Sequence, residues 1–488
     1  LDAYYAAFRI PDTLFTLLIV GALSAGFIPI FTELWRKDKQ DAWAMANGVM
    51  NILGVLLIIA SAGFFFLMPW LTDVMAPGFD EEKRALAVSL GRIMLLSPIL
   101  LGISSVVGGV LQSMKSFFFY SLSPILYNIG IIIGAVLLVP VFGGAGLAYG
   151  VIIGAFLHLV IQLPAMRAYG WHYQWMLPWK HPGIRELSRL TVGRTLGLAA
   201  FQINAIAITV IASLLPAGSL AIFHFANNLG SVPVGIFGIS FAIAAFPTLS
   251  EAATEATRET FIAHLIATIR QILFFILPVT ILFLLLRAQI VRVVLGTGRF
   301  DWHATIATAD TLAFFSLSLF AQWLIPLLAR GFYALKDTWT PFLASAVSMI
   351  ISVGASIIFK NMFGVVGLSM AFSLAMILQL SVLWIALRSR LGTLNESLLL
   401  PSLYKMTIAA LAMSIVVQAA KTPLAAVVDM TKFWGVFVQG AAAGGIGILL
   451  YGGICYILRL EEMIHLKASM KRRWLKLWNV QEEIREEV

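Results

Sequence analysis

Apolar residues in this chain gather in long runs, and polar residues fall mostly in short gaps between them. A helix needs roughly 20 consecutive apolar residues to cross a bilayer, whereas a barrel strand alternates inward and outward every second residue. The runs here are of the first kind and lack period-two alternation. They predict thirteen membrane-spanning helices, near residues 2–34, 42–73, 85–113, 117–140, 144–167, 184–214, 218–250, 258–287, 304–331, 339–360, 364–388, 402–421 and 433–458. The predicted fold class is all-α, a polytopic membrane protein. Several runs exceed the bilayer thickness, which predicts tilt, kinks or protruding ends. Pro11, Pro98, Pro233 and Pro278 lie inside runs, where a missing backbone N–H is predicted to break the helical ladder.

The pattern also repeats. IPIFTE at 28–33 recurs as FPTLSE at 246–251, pairing Pro29 with Pro247 and Glu33 with Glu251 at an offset of 218. SP at 123–124 recurs as TP at 340–341, an offset of 217. GGAGLA at 143–148 recurs as GVVGLS at 364–369, and Arg167 then pairs with Arg388, both at an offset of 221. Six helices per repeat is an even number, so both copies enter the membrane in the same sense, as a parallel repeat. The expected layout is an N-lobe at 1–183, a C-lobe at 184–390, two extra transmembrane helices at 391–460 and a basic cytoplasmic tail at 461–488. Two pseudo-symmetric six-helix lobes of this kind enclose a midplane cavity and work by rocking. The span at 184–214 opens the second copy, and its counterpart would lie about thirty residues before Leu1. The N-lobe is therefore expected to lack its first helix here, with fourteen spans in the intact protein.

Composition strengthens the membrane reading. Of 488 residues, 60% are hydrophobic and 12% charged, against about half and a quarter in soluble chains. The net charge is +9, but placement matters more than size. Taking the RKDK loop at 36–39 as cytoplasmic and alternating sides puts 21 of the 33 Lys and Arg on that side, eight opposite and four within spans. By the positive-inside rule the C-terminus is then cytoplasmic. Basic residues at loop ends and in one tail argue against nucleic-acid binding. The tail interleaves Trp474 and Trp478 with its charges, and it reads either as an interfacial helix on anionic lipid or as a solvated tail. The single Cys455 excludes an intramolecular disulfide, and the seven histidines show no metal-ligand spacing. No cofactor or metal is expected. The opening LDAYYAAFRIPD lacks the basic start and small-residue cleavage site of a secretory leader.

Specific segments carry a family resemblance. LDAYYAAFRIPD followed by GALSAGFIPIF resembles the second helix of the MurJ (MviN) lipid II flippases. GRTLGLAAFQIN at 193–204 is similar to their seventh helix, ANNLGSVPVGIFGISFAIAAFPTLSE at 226–251 to their eighth, and ARGFYALKDTWTP at 329–341 to the loop before the eleventh. The resemblance covers roughly residues 1–390, and the last two helices suit the family's fourteen-helix plan. It implies the multidrug/oligosaccharidyl-lipid/polysaccharide exporter fold. It also implies a transporter, not an enzyme, in the bacterial inner membrane. Its substrate would be lipid II, the undecaprenyl-diphosphate-linked peptidoglycan precursor, moved to the outer leaflet by alternating access. Cell-wall synthesis proteins are the implied partners, with the phospholipid bilayer around the chain.

This sequence departs from the better-known members. Where they carry an arginine pair on helix two it has Phe15 and Thr16, and where they carry an arginine on helix eight it has Asn228. Helices eleven and twelve have serines but no acid, so the sodium site of some members is not expected.

Arginine inside a membrane costs about 2.5–3.5 kcal/mol or more unless it faces a polar lumen or a partner, so each such residue is a functional candidate. Arg9 lies two residues before Pro11 and either grips phosphate or snorkels to the interface. Asp2 either pairs with Arg9 or caps a helix. Arg194, flanked by Gly193 and Gly197, is a cavity residue or a helix-end anchor. Arg92 and Arg270 rank lower, as partners of acids near helix ends. His224, Asn227 and Asn228 form a polar cluster on the eighth helix, and with Gln202 and Asn204 they either line a hydrated cavity or bond helices together. In KDTWTP, Asp337, Thr340 and Pro341 predict a turn leading into a helix. P-loop, GxSxG and metal-cluster signatures are missing from the sequence. Four further readings stay open: a flippase for another undecaprenyl-diphosphate-linked oligosaccharide, a drug/cation antiporter of the same fold, a non-transporting membrane scaffold, and a membrane-embedded glycosyltransferase or acyltransferase.

Overall fold

The computed structural model describes residues 1–20, 26–254, 257–296, 298, 300–464 and 466–467, without the side chains of 20, 190, 192–194, 196–198, 200, 201 and 254. Regular structure among these residues is helical throughout. Among the described residues ten helices are long and apolar enough to cross a membrane, and the pair Trp302–Leu317 and Leu319–Ala334, bent by 42°, makes an eleventh candidate. The chain is thus a multi-pass membrane protein. It divides into two compact units, Leu1–Ala221 and Ile222–Val488.

The first unit holds α1 (Asp2–Phe15), α2 (Phe27–Lys37), α3 (Lys39–Met75), α4 (Glu81–Met94), α5 (Leu96–Ser113), α6 (Phe117–Ile133), α7 (Val139–Phe142), α8 (Ala145–Val160), α9 (Leu163–Ala168) and α10 (Pro182–Ser213). Its core sits where Phe27 and Phe31 of α2 meet Met45 and Leu57 of α3 and Val106 and Val110 of α5. Between α6 and α8 the backbones nearly touch: a Cβ on Gly130 would lie 2.2 Å from the Gly154 nitrogen. From Trp171 to Pro178 the chain runs without helix. Asn47 and Asn51, one turn apart on α3, hold this segment through the carbonyls of His172, Gln174 and Met176 at 2.9–3.0 Å.

The second unit holds α11 (Ser219–Pro233), whose first residues belong to the first unit, then α12 (Ser240–Thr254), α13 (Arg258–Leu285), α14 (Arg287–Leu295), α15 (Trp302–Leu317), α16 (Leu319–Ala334), α17 (Trp339–Phe363), α18 (Val365–Leu391), α19 (Glu396–Val427) and α20 (Phe433–Ile457). Its core is the α13 stripe Ile262, Leu265, Ile266, Ile269 and Ile272, packed with Leu327 and Phe332 of α16 and Met406 and Met413 of α19. Cys455 is a buried free thiol of α20.

The prolines act unequally. α1, which contains Pro11, gives way to a π-helical turn at Thr16–Val20, and α11 ends at Pro233 where another begins, Val234–Ile239. Pro98 stands in the first turn of α5, just after a break at Leu95, where its missing N–H costs little. Contrary to the expected break, α1 runs through Pro11 to Phe15 and α13 runs through Pro278.

Matched backbone features mark the internal repeat. Gly143 and Gly364 share φ +57° with ψ −140° and −134°. Lys115 and Lys336 both have φ 59°. Asp80 and Asp301 each cap a helix by accepting the N–H three residues on, from Lys83 and Ala304 at 2.8 Å. Each pair is separated by 221 residues.

Candidate functional site

α1 lines up Asp2, Arg9 and Asp12 along one flank, because residues seven and three apart return to nearly the same side of a helix. The carboxylate of Asp2 accepts the Gly218 N–H at 2.5 Å through Oδ2 and the Ala221 N–H at 2.9 Å through Oδ1. Of its two expected roles it therefore takes the cap, and the helix it caps is α11 rather than its own. The first N–H groups of a helix have no partner inside it, and an acid there also meets the positive end of the dipole.

Arg9 turns to Asp12. The guanidinium side chain is only 16% exposed, and Nη1 lies 3.5 Å from Asp12 Oδ2, a loose pairing. Arg9 Nε is buried without a hydrogen-bond partner. From α10, the Gln202 Nε2 reaches Asp12 through long contacts, 3.4 Å to Oδ2 and 3.5 Å to the carbonyl. Gln202 is 3% exposed and its Oε1 has no partner; Asn204 Oδ1 is also buried and unpartnered. Residues two apart on a helix point to different sides, so Gln202 joins the Arg9 group while Asn204 faces elsewhere. Unsatisfied polar atoms of this kind mark where water or a polar ligand belongs.

The remaining candidates fall in two places. The backbone of Arg194 is helical within α10, and its side chain lies outside the described residues. His224, Asn227 and Asn228 follow α11 into the second unit. His224 is half-buried with its ring edge-on to Phe223, Asn227 is half-buried and Asn228 exposed. The Asn228 carbonyl accepts the Ser231 hydroxyl at 2.8 Å.

Two participants went unread in the sequence. Asp12 had a signal, an acid three residues after Arg9 in FRIPD. Tyr127 of α6, within electrostatic reach of Asp12, had none, because only tertiary packing brings α6 there.

The lower-ranked arginines separate clearly. Arg270 of α13 donates from Nε to Glu462 at 2.5 Å and from Nη2 to Glu461 at 2.8 Å. Arg92 of α4 has no carboxylate partner among the described residues; its Nε donates to the Phe65 carbonyl at 3.1 Å and its guanidinium lies 4.9 Å from the Phe65 ring centre. Most of the basic tail, residues 468–488 with Trp474 and Trp478, lies outside the described residues. No group of His, Cys, Asp and Glu among the described residues is placed to hold a metal ion.

Comparison with known proteins adds the family. A protein of Burkholderia cenocepacia named lipid II flippase MurJ is 29% identical over 410 residues, covering 80% of this chain and 77% of that protein. A probable lipid II flippase MurJ of Bdellovibrio bacteriovorus is 25% identical over 475 residues, covering 96% and 90%. Among solved structures, a lipid II flippase MurJ in an inward closed conformation matches with a TM-score of 0.77 at 22% identity, covering 93% of this chain and 92% of that one. An inward-facing multidrug resistance MATE family transporter of the MOP superfamily matches with a TM-score of 0.67 at 15% identity, covering 81% and 92%. The family model described as lipid II flippase MurJ matches residues 1–437, and the chain accordingly belongs to that family.

Proposed function

We propose that this protein carries lipid II from the cytoplasmic to the outer leaflet of the bacterial inner membrane by alternating access, as a transporter and not an enzyme. The observation that carries the reading is Arg9: a cation buried within a membrane-spanning unit, loosely paired, with Nε left free. Burying such a group is costly, and a diphosphate would repay it by accepting from Nε and Nη together. In this reading the incoming diphosphate displaces Asp12 from Arg9. Gln202 Oε1 then accepts from a sugar hydroxyl or peptide N–H group, while Asn204, on another side of α10, stays outside this contact. Arg194 of α10 supplies a further head-group contact, and Asp2 acts by fixing the start of α11.

The layout proposed with it is two six-helix lobes, 1–183 and 184–390, followed by two further helices at 391–460. That gives thirteen spans in this chain and fourteen in the intact protein, with the tail from 461 in the cytoplasm. Cell-wall synthesis proteins are the proposed partners. The backbone pairs separated by 221 residues support a repeated plan.

The test is complementation of a flippase-depleted strain, combined with transfer of labelled lipid II across reconstituted vesicles. Arg9→Ala should insert normally yet lose transfer by about tenfold or more, the scale of one charge-assisted hydrogen bond. Arg9→Lys should recover only part, since an ammonium cannot make the planar two-point grip. Wild-type transfer by Arg9→Ala would remove the residue from the mechanism.

A further inference from the structure

Residues 171–181, in the link between α9 and α10, lie along the first half of α3, and their contacts fix the depth of the link step by step. Trp171 Nε1 donates to Asn47 Oδ1 at 2.9 Å, and Asn47 Nδ2 donates to the His172 carbonyl. One turn further along α3, Asn51 donates to the carbonyls of Gln174 and Met176 and accepts the Tyr173 hydroxyl at 3.0 Å. The link then turns back. Pro178 lies over Gly48, where a Cβ would meet it at 2.6 Å, and His181 Nε2 stands 3.0 Å from Asp41. Residues 173–176 therefore form the tip of a loop that reaches furthest along α3 at Asn51.

We propose that the tip of this loop sits in the head-group layer of the bilayer, with Tyr173 and Trp175 as interfacial anchors. α3 supplies the depth scale. Its exposed large apolar side chains begin at Leu56 and run to Val74, with Ile58, Phe65, Phe66 and Trp70 among them. By helical rise that band is about 27 Å tall, close to the ~30 Å of bilayer hydrocarbon. Asn51 stands about 7.5 Å before Leu56 on the same scale, and head groups add roughly 5–7 Å on each side of the hydrocarbon. The side is right as well as the depth. Residues seven apart return to nearly the same side of a helix, so the face that carries Asn51 continues into the exposed Ile58 and Phe65. The tip thus lies directly over the lipid-facing stripe of α3.

The exposed side chains at this height have the chemistry of that layer. Trp175 is 66% exposed and Tyr173 54%. An aromatic ring with a polar edge suits a boundary that is apolar on one side and wet on the other, which is why Trp and Tyr collect there. Trp179 is exposed too, but it lies between Pro178, level with Gly48, and His181, level with Asp41. Those levels are about 12 Å and about 22 Å before Leu56, beyond the head groups. Two exposed tryptophans of one loop fall on opposite sides of the bilayer surface. The stripe below the tip is in lipid, so the layer that the tip meets is the head groups of the same leaflet. This placement pins the link between α9 and α10 to that leaflet, and it does not rest on the flippase reading.

The experiment uses the full chain in vesicles of phosphatidylethanolamine and phosphatidylglycerol, with Cys455→Ala to remove the chain's single thiol. Gln174→Cys, Trp175→Cys and Trp179→Cys, one at a time, carry a nitroxide. Its collisions with a soluble nickel chelate on both sides of the membrane are compared with those with nickel chelated on a lipid head group. Labels at 174 and 175 should be relaxed several-fold more by the lipid-borne nickel than by the soluble chelate, and the label at 179 the reverse. Asn51→Ala, which frees the carbonyls of Gln174 and Met176, should shift the label at 174 toward the soluble chelate. Helical circular dichroism and gel filtration check that each variant is folded. If Trp175→Cys does not fold, Gln174→Cys makes the same comparison without removing an anchor. Labels at 174 and 175 as open to the soluble chelate as the one at 179 overturn the proposal. So do labels shielded from both forms of nickel, the signature of a protein contact at the tip. An unshifted label in a folded Asn51→Ala variant overturns the role of α3 in setting the depth.

Discussion

Asp2 and Arg9 sit seven residues apart on one helix, yet their partners differ in kind. Asp2 finds two backbone N–H groups more than two hundred residues away, and Arg9 finds Asp12 one turn on. Both carboxylate oxygens of Asp2 are committed to the cap, and the side chain is nearly buried. Asp2→Ala should therefore lower stability by about 1–2 kcal/mol, the upper range for losing a helix cap, read as a lower melting temperature in detergent. Asp2→Asn, which keeps the acceptor oxygen, should lose less. Equal losses would mean that charge, not hydrogen bonding, carries the contact. The sequence offered both roles for Asp2 and could not choose, because Gly218 and Ala221 become its neighbours only on folding.

At the scale of elements, two contacts make sharp predictions. A Cβ on Gly154 would stand 2.3 Å from the carbonyl oxygen of Tyr127, closer than atoms can approach. Gly154→Ala must push α8 away from α6, at about 1–3 kcal/mol for overpacking, visible as a drop in melting temperature. The turn predicted in KDTWTP is present, and Asp337 organises it. Its carboxylate accepts the N–H groups of Trp339 and Thr340 at 3.0 Å, and Arg390 donates to it at 2.6 Å. The hydrogen bond from the Thr340 backbone, with help from Arg390, holds its pKa below the usual carboxylate range. A depressed carboxylate stabilises fully above its unfolded value of about 4 and loses that contribution as pH falls through the native value. The melting-temperature gap between wild type and Asp337→Asn should thus be constant near neutral pH and shrink below about 4. A gap that widened on acidification would contradict this assignment.

At the scale of the molecule, the repeat is the strongest regularity. Gly143 and Gly364 hold nearly the same backbone angles, in a region of positive φ open to little but glycine. A Cβ at either position would meet no atom within 4 Å, so substitution costs only backbone strain. Gly143→Ala and Gly364→Ala should therefore each cost about 1–3 kcal/mol, and by similar amounts. Strongly unequal losses would show that the two copies no longer share a mechanical role. The repeat was legible beforehand because turns demand particular residues. Its wider extent, through Asp80 with Asp301 and Lys115 with Lys336, was hidden because the matches are only one or two residues long, Phe79–Asp80 recurring as Phe300–Asp301 and Lys115 standing alone.

The sequence by itself determined that the chain crosses a membrane as helices, that it repeats, and to which family it belongs. Apolar run length and punctuation residues are local properties, and the bilayer enforces them. Tertiary structure alone decided what each buried charge does: Asp2 caps, Arg9 meets Asp12, Arg270 meets two glutamates, and Arg92 faces an open groove. A charge in a low-dielectric medium is governed by whichever groups lie within a few ångströms, and for most of these residues the chain brings those groups from far away in sequence.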